Sequence, residues 1–174
     1  MVILYEMEGV LPYIITAAAL HEVGHLLALW SFGVHVEEMC FTAFGIEIRA
    51  DLRYLSYWKD IVCTLAGPMA NLLGAFFFAR VMGAHLLGGA NLLQGCFNLL
   101  PLTGLDGSRV LYLALCLVFP LQRAEVIYRI SVICFAAVFT VFTVYLMILY
   151  RTGWFLLLAL FGVILSIWRD IHGK

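Results

Sequence analysis

Two histidines four residues apart stand in the first apolar stretch of the chain, within AALHEVGHLL at residues 18–27. On a helix, residues four apart share one face, with Cβ atoms about 5–6 Å apart. His21 and His25 could therefore both reach one zinc ion at about 2.0–2.1 Å. Glu22 is rotated away from that face and could act as a general base without binding the metal. The spacing predicts a hydrolytic zinc site.

The alternative for this motif is that both histidines only form hydrogen bonds inside a helix bundle. Ionisable side chains within a membrane span are costly in hydrocarbon, and such residues usually serve a function. The stretch around His21 and His25 is strongly apolar. We therefore favour the metal-binding interpretation.

A catalytic zinc requires a third protein ligand and keeps one position for water. Asp106, in FNLLPLTGLDGSRV at residues 97–110, is the only acidic residue deep in another apolar stretch. Pro101, Gly104 and Gly107 predict a helix break there. At membrane depth such backbone is tolerated only inside protein or beside a wet cavity. Asp106 would then begin the next half-helix, whose dipole favours an ionised carboxylate; an ordinary N-cap is the alternative.

The composition predicts an integral membrane protein, because the chain is 64% hydrophobic and 12% charged, whereas soluble domains are about 25% charged. A net charge of −1 provides no basic surface for nucleic acid. A membrane span needs about 20 apolar residues, and five stretches are candidates: 10–32, 60–83, 91–118, 127–149 and 153–168. We predict an all-α fold with about five transmembrane helices in a single domain over residues 1–174.

The basic residues predict the orientation of these helices. With the N-terminus outside, seven of them lie on or near the cytoplasmic side, as the positive-inside rule requires: Arg49, Arg53, Lys59, Arg123, Arg129, Arg169 and Lys174. Arg80 and Arg151 lie near the outer side. We expect a multi-pass protein of the cell membrane with a cytoplasmic C-terminus. The alternative is a reversed topology with a missed span.

The long connection at residues 33–59 would then be cytoplasmic. Apolar and polar residues alternate along GIEIRAD, which predicts a half-buried strand that includes Ile46, Glu47, Ile48 and Arg49. The preceding residues could supply a partner strand, with Gly45 at the turn. On spacing alone we favour an ordinary surface hairpin. The functional alternative is an edge strand that pairs with an extended peptide.

Three motifs together resemble the site-2 protease family of intramembrane zinc metalloproteases. They are HEVGH at residues 21–25, AGPMAN at 66–71 and the series Asn98, Pro101, Leu105-Asp106-Gly107. The resemblance covers a three-helix catalytic core at about residues 10–118, with accessory helices at about 119–170. The region from Asn98 onward looks most like the sporulation-type branch, although many members have glycine where this chain has Ser108. Asn71 is expected to form hydrogen bonds across helices.

The resemblance implies that His21, His25 and Asp106 bind one Zn²⁺ per chain and that Glu22 activates water. It also implies that Asn98 positions substrate or stabilises the oxyanion, and it strengthens the substrate-aligning interpretation of the 33–59 connection. The implied partners are transmembrane protein substrates, the lipid bilayer and a regulatory membrane protein. Two other functions stay open: a metal transporter that uses the same three ligands, and an inactive membrane scaffold.

Overall fold

The computed structural model describes residues 2–34, 36–42, 45–50 and 55–150, with side chains for 9–34 and 55–149. The chain divides into two compact units between Leu99 and Leu100. The described part of the first unit contains α1 (Val2–Ser31), β1 (Val36–Thr42), β2 (Gly45–Ala50), α2 (Tyr57–Phe76), a π-helical turn (Phe77–Val81) and α3 (His85–Asn98). The second unit contains α4 (Asp106–Val118) and α5 (Leu121–Tyr150). This division falls inside the predicted catalytic core, and a single domain over residues 1–174 stays a prediction.

Among the described residues, three helical segments are long and apolar enough to cross a membrane: Gly9–Ser31, Tyr57–Val81 and Leu121–Leu149. They coincide with the predicted spans 10–32, 60–83 and 127–149. Large apolar side chains on these helices are exposed, among them Trp30, Phe76 and Ile148. Exposed apolar surface of this extent is typical of contact with lipid. The chain is therefore a membrane protein.

The predicted span 91–118 is not one continuous helix. Helix α3 ends at Asn98, and α4 begins at Asp106. The intervening segment contains Pro101, which has no N–H to continue a helix, and Gly104, whose φ is +90°. The candidate span 153–168 lies outside the described residues, so a total of five spans stays a prediction.

Helix α1 ends in a left-handed turn at Gly33, whose φ is +70°. The N–H of Gly33 donates to the Trp30 carbonyl at 3.0 Å, and the N–H of Val34 donates to the Leu29 carbonyl at 3.0 Å. This pair of bonds is a Schellman motif, which satisfies the last carbonyls of the helix and turns the chain sharply. Strands β1 and β2 follow and pair antiparallel.

Small residues allow the helices of the first unit to pack closely. A Cβ atom on Gly24 of α1 would lie 2.5 Å from the carbonyl oxygen of Ala66 in α2. A Cβ atom on Gly95 of α3 would lie 3.2 Å from the carbonyl oxygen of Pro68, also in α2. Membrane helices commonly use small residues in this way, because lipid provides no hydrophobic force between them. Helix α2 is thus held near α1 on one side and α3 on the other.

In the second unit, the broken segment packs on α5. Leu102 is 4% exposed and forms a small apolar cluster with Ala136. Leu105, the residue before α4, packs against the same cluster. These contacts bury apolar side chains of the non-helical segment between α3 and α4.

Candidate metal centre

Helix α1 places the two predicted histidine ligands side by side. The Nε2 atoms of His21 and His25 lie 3.2 Å apart, and the rings meet edge to face with centroids 4.7 Å apart. Two ligands of one tetrahedral zinc, each about 2.05 Å from the metal, would be about 3.3 Å apart. The separation of the two nitrogens therefore fits a shared zinc ion. His21 is buried, with 5% of its surface exposed.

Helix α2 binds the other nitrogen of each ring. Nδ1 of His25 lies 2.8 Å from the carbonyl oxygen of Cys63, and Nδ1 of His21 lies 3.0 Å from Oδ1 of Asn71. Both oxygens can only accept, so each Nδ1 carries a hydrogen, and Nε2 is the nitrogen of each ring that could bind a metal. Metal-binding histidines are commonly oriented by such a bond from the second nitrogen. The two rings are thus oriented as zinc ligands that bind through Nε2 would be.

Gly67 of α2 provides the space for the second histidine. A Cβ atom at this position would lie 2.2 Å from Nε2 of His25 and 2.6 Å from its Cε1. No side chain can occupy that volume while the imidazole stays in place. The glycine of the AGPMAN motif therefore has a specific steric role beside the candidate ligand.

The third ligand that the resemblance implies, Asp106, belongs to the second unit. Asp106 is the first residue of α4 and is half-buried, as is Glu22 on α1. Two imidazoles and a carboxylate are a donor set that catalytic zinc sites use, so these residues fit the metal that the sequence predicts.

The predicted helix break differs in one detail from the structure. Pro101 and Gly104 lie in the non-helical segment, but Gly107 lies in the first turn of α4. Asp106 begins the helix after an extended Leu105, as the sequence predicts, so Gly107 cannot be part of the break. Ser108 fits the same turn, where its hydroxyl donates to the Leu105 carbonyl at 2.8 Å.

Asn98 is the last residue of α3. Its Nδ2 donates to the carbonyl oxygen of Gln94 at 3.2 Å, one turn earlier in the same helix. An amide nitrogen carries two hydrogens, and this bond uses one of them. Its role toward substrate stays a prediction.

The residues of the predicted substrate-aligning strand lie in β2. Its backbone pairs with β1, with Ile46 opposite Phe41 and Ile48 opposite Met39. Glu47 and Arg49 occupy the alternate positions along the same strand. The pairing shows where the strand is; its role as an edge for substrate stays a prediction.

Sequence reasoning found Asn71 but missed Asn91. Asn71 forms hydrogen bonds across helices, as expected, and is fully buried. Asn91 of α3 is also fully buried, and its Oδ1 accepts a hydrogen bond from Nδ2 of Asn71 at 3.3 Å. The sequence signal for Asn91 was an amide side chain inside an apolar helix. An unpaired polar group in a membrane raises the free energy of the folded protein, so such a side chain indicates a hydrogen-bond partner.

Comparison with known proteins adds a solved structure and a curated relative. A site-2 protease from Methanocaldococcus jannaschii matches with a TM-score of 0.64 and 20% identity, over 91% of this chain and 77% of that one. The chain has a site-2 protease fold. A relative from Synechocystis sp., provisionally named a zinc metalloprotease, is 29% identical over 61% of this chain. The match spans 33% of that relative's length, and no protein-family model matches the chain.

Both similarities support the resemblance to the site-2 protease family that the motifs indicate. The structural similarity concerns the fold, since sequence identity to the solved site-2 protease is low. The HEVGH motif of this fold lies on α1, the AGPMAN motif on α2 and Asp106 at the start of α4. The chemistry of the site has to be argued from these side chains.

Proposed function

We propose that this chain is a zinc endopeptidase that hydrolyses peptide bonds within or near the transmembrane segments of other proteins. The observation that carries the proposal is the His21–His25 pair. Their Nε2 atoms lie 3.2 Å apart, and each Nδ1 bonds to an oxygen that can only accept. This arrangement directs two lone pairs toward one cation. The zinc metalloprotease name of the Synechocystis relative agrees with it.

In this proposal His21, His25 and Asp106 hold one Zn²⁺ per chain. When bound, zinc polarises the scissile carbonyl and makes water nucleophilic near neutral pH. Glu22 takes a proton from the attacking water and gives a proton to the leaving amide nitrogen as the C–N bond breaks. The second Nδ2 hydrogen of Asn98 is available to position the substrate carbonyl or stabilise the oxyanion.

The substrate class follows from the membrane. A transmembrane helix bonds its own carbonyl groups and shields its backbone, so the substrate must unwind locally before it is cut. An unwound strand needs backbone partners, and β2 with its residues Ile46–Arg49 could supply them by strand addition. We infer that β1 and β2 align the substrate in this way. This is the edge-strand function given above as the alternative for the 33–59 connection.

The proposed topology has an outer N-terminus, about five spans and a cytoplasmic C-terminus in the cell membrane. The excess of basic residues on one side supports this orientation. The active site would then receive water from the cytoplasmic side, and cleavage would occur near that surface. The resemblance of the region from Asn98 onward to the sporulation-type branch supports a membrane-tethered pro-protein as substrate, and we include a membrane partner as regulator in the proposal.

The test compares wild-type protein with Glu22→Gln in liposomes that contain a panel of tethered transmembrane substrates. Glutamine keeps the shape of the side chain and removes its basicity, so the variant should retain zinc and lose about 10²–10⁴-fold in cleavage rate. Zinc flux is measured in parallel. Cleavage by both proteins at equal rates would refute the role of Glu22.

The same experiment separates the other two candidate functions. The three-ligand group could also serve as a transit site for a metal ion, but transport does not need a carboxylate at Glu22. Zinc flux in both proteins without cleavage would identify a transporter. Substrate binding by both, with neither flux nor cleavage, would identify a scaffold.

A further inference from the structure

A line of buried amide side chains ends on the zinc ligand His21. Nδ2 of Asn91 donates to the carbonyl oxygen of Leu87 at 2.9 Å, and Oδ1 of Asn91 accepts from Nδ2 of Asn71 at 3.3 Å. Oδ1 of Asn71 accepts from Nδ1 of His21 at 3.0 Å. Both asparagines are fully buried. The line thus connects three helices of the first unit.

The backbone at its ends fixes the direction of every bond in this line. A carbonyl oxygen can only accept, so the nitrogen of Asn91 must face Leu87 and its oxygen must face Asn71. Nδ2 of Asn71 donates there and also to the Ala17 carbonyl at 3.2 Å. Both of its hydrogens are then used, and its oxygen must face His21.

We propose that Asn91 is a positioning residue for the metal ligand His21, and this inference rests on the zinc site proposed above. If the Asn71 amide turned over, its NH₂ group would face Nδ1 of His21. The ring hydrogen would then move to Nε2, which is the atom that must bind the metal. Asn91 opposes this rotation together with the Ala17 carbonyl, because a turned amide would place the Asn71 oxygen against both of these oxygens.

Two glycines provide room for the line. A Cβ atom on Gly74 would lie 3.1 Å from Oδ1 of Asn91, and one on Gly95 would lie 3.1 Å from Cβ of Asn71. Helices α2 and α3 therefore meet at a distance that allows the two short amides to bond directly. Asparagine pairs can also serve simply to join membrane helices, and that role would have no effect on the His21 tautomer.

The first measurement is zinc affinity, by chelator competition on the full chain in detergent, for Asn71→Leu, Asn91→Leu and the double variant. Residues that orient a metal ligand typically contribute 10- to 100-fold to affinity, and we expect this loss for Asn71→Leu. For Asn91→Leu we expect about threefold to tenfold, the value of one buried hydrogen bond. In the Asn71→Leu background, Asn91→Leu should have no further effect on affinity.

Two variants in α3 serve as controls. Gln94→Leu removes an amide side chain from the same helix outside the line, and it should leave zinc affinity unchanged. Asn91→Asp, as a neutral acid, can donate to Leu87 and accept from Asn71, so it should restore most of the affinity. If Asn91→Leu fails to fold, Asn91→Ser is measured in its place.

The second measurement is the His21 tautomer in metal-free protein, from ¹⁵N-histidine NMR, with the His21 signals identified by their loss in His21→Gln. Wild type and Asn91→Asp should carry the hydrogen on Nδ1, and Asn91→Leu should show a population with the hydrogen on Nε2. An unchanged tautomer, or additive affinity losses in the double variant, would overturn the role of Asn91. Absence of zinc from the wild type would refute the proposed function instead, while the tautomer would still decide whether Asn91 acts on His21.

Discussion

Gly67→Ala is the smallest change that should disable the proposed zinc site. The new Cβ atom would lie 2.2 Å from Nε2 of His25, whereas an ordinary contact begins at 3.4 Å. The imidazole must therefore retreat by about 1 Å or more. Ligand distances in metal sites tolerate about 0.2 Å. We expect zinc affinity to fall by at least about 100-fold, with cleavage lost in parallel.

Helix propensity alone would not destabilise Gly67→Ala, so a loss of zinc could not be attributed to it. Alanine is about 1 kcal/mol more favourable than glycine inside a helix, so a simple propensity effect would stabilise the variant. Gly89→Ala is the matched control, because Gly89 lies in α3 and its added Cβ would have no neighbour within 4 Å. It should retain both zinc and thermal stability.

Zinc content is measured by metal analysis of purified protein, and affinity by chelator competition, with thermal unfolding in the same detergent as the check on folding. The reasoning would be refuted if Gly67→Ala bound zinc as tightly as wild type. It would also be refuted if Gly89→Ala lost zinc equally, because the effect would then come from glycine replacement in general and not from contact with His25.

Three other predictions concern the metal, the hairpin and the orientation. Metal analysis should find about one zinc per purified chain. The proposed site would be contradicted if folded protein that was purified without a chelator contained no zinc. Ile48→Pro, which removes a backbone N–H from β2, should lower the cleavage rate and leave zinc content intact; full turnover by the folded variant would return the hairpin to an ordinary surface role. A reporter fused at position 50 should give a cytoplasmic signal, and an external signal would contradict the topology.

The approach of the two histidines to each other could be predicted from the sequence because their spacing is local. His21 and His25 are one helical turn apart, and any helix there brings their rings to one face. Likewise, Pro101 indicates that a continuous helix cannot pass through residues 99–105. The start of the next half-helix at Asp106 could also be predicted, but the place of Gly107 could not, because glycine is compatible with both a turn and a buried helical turn.

The hydrogen bond between Asn71 of α2 and Asn91 of α3 could not be predicted, because it depends on packing between distant parts of the chain. Asn91 and Asn71 are 20 residues apart, and neither spacing nor composition indicates that they meet. Their contact requires the close approach at Gly74 and Gly95. A single buried asparagine in an apolar helix predicts only that some partner exists.

The arrangement of α2 explains why one helix can orient both histidines. Cys63, Gly67 and Asn71 are spaced four residues apart, so they lie along one face of the helix. That face runs antiparallel to α1: the Cys63 carbonyl meets His25, and Asn71 meets His21 one turn away. Gly67 lies between these two acceptors and leaves room for the imidazole. The bond to His21 and the space for His25 therefore depend on the same helix register, and a slip of α2 along α1 by one turn would move the Asn71 side chain and Gly67 away from their rings at once.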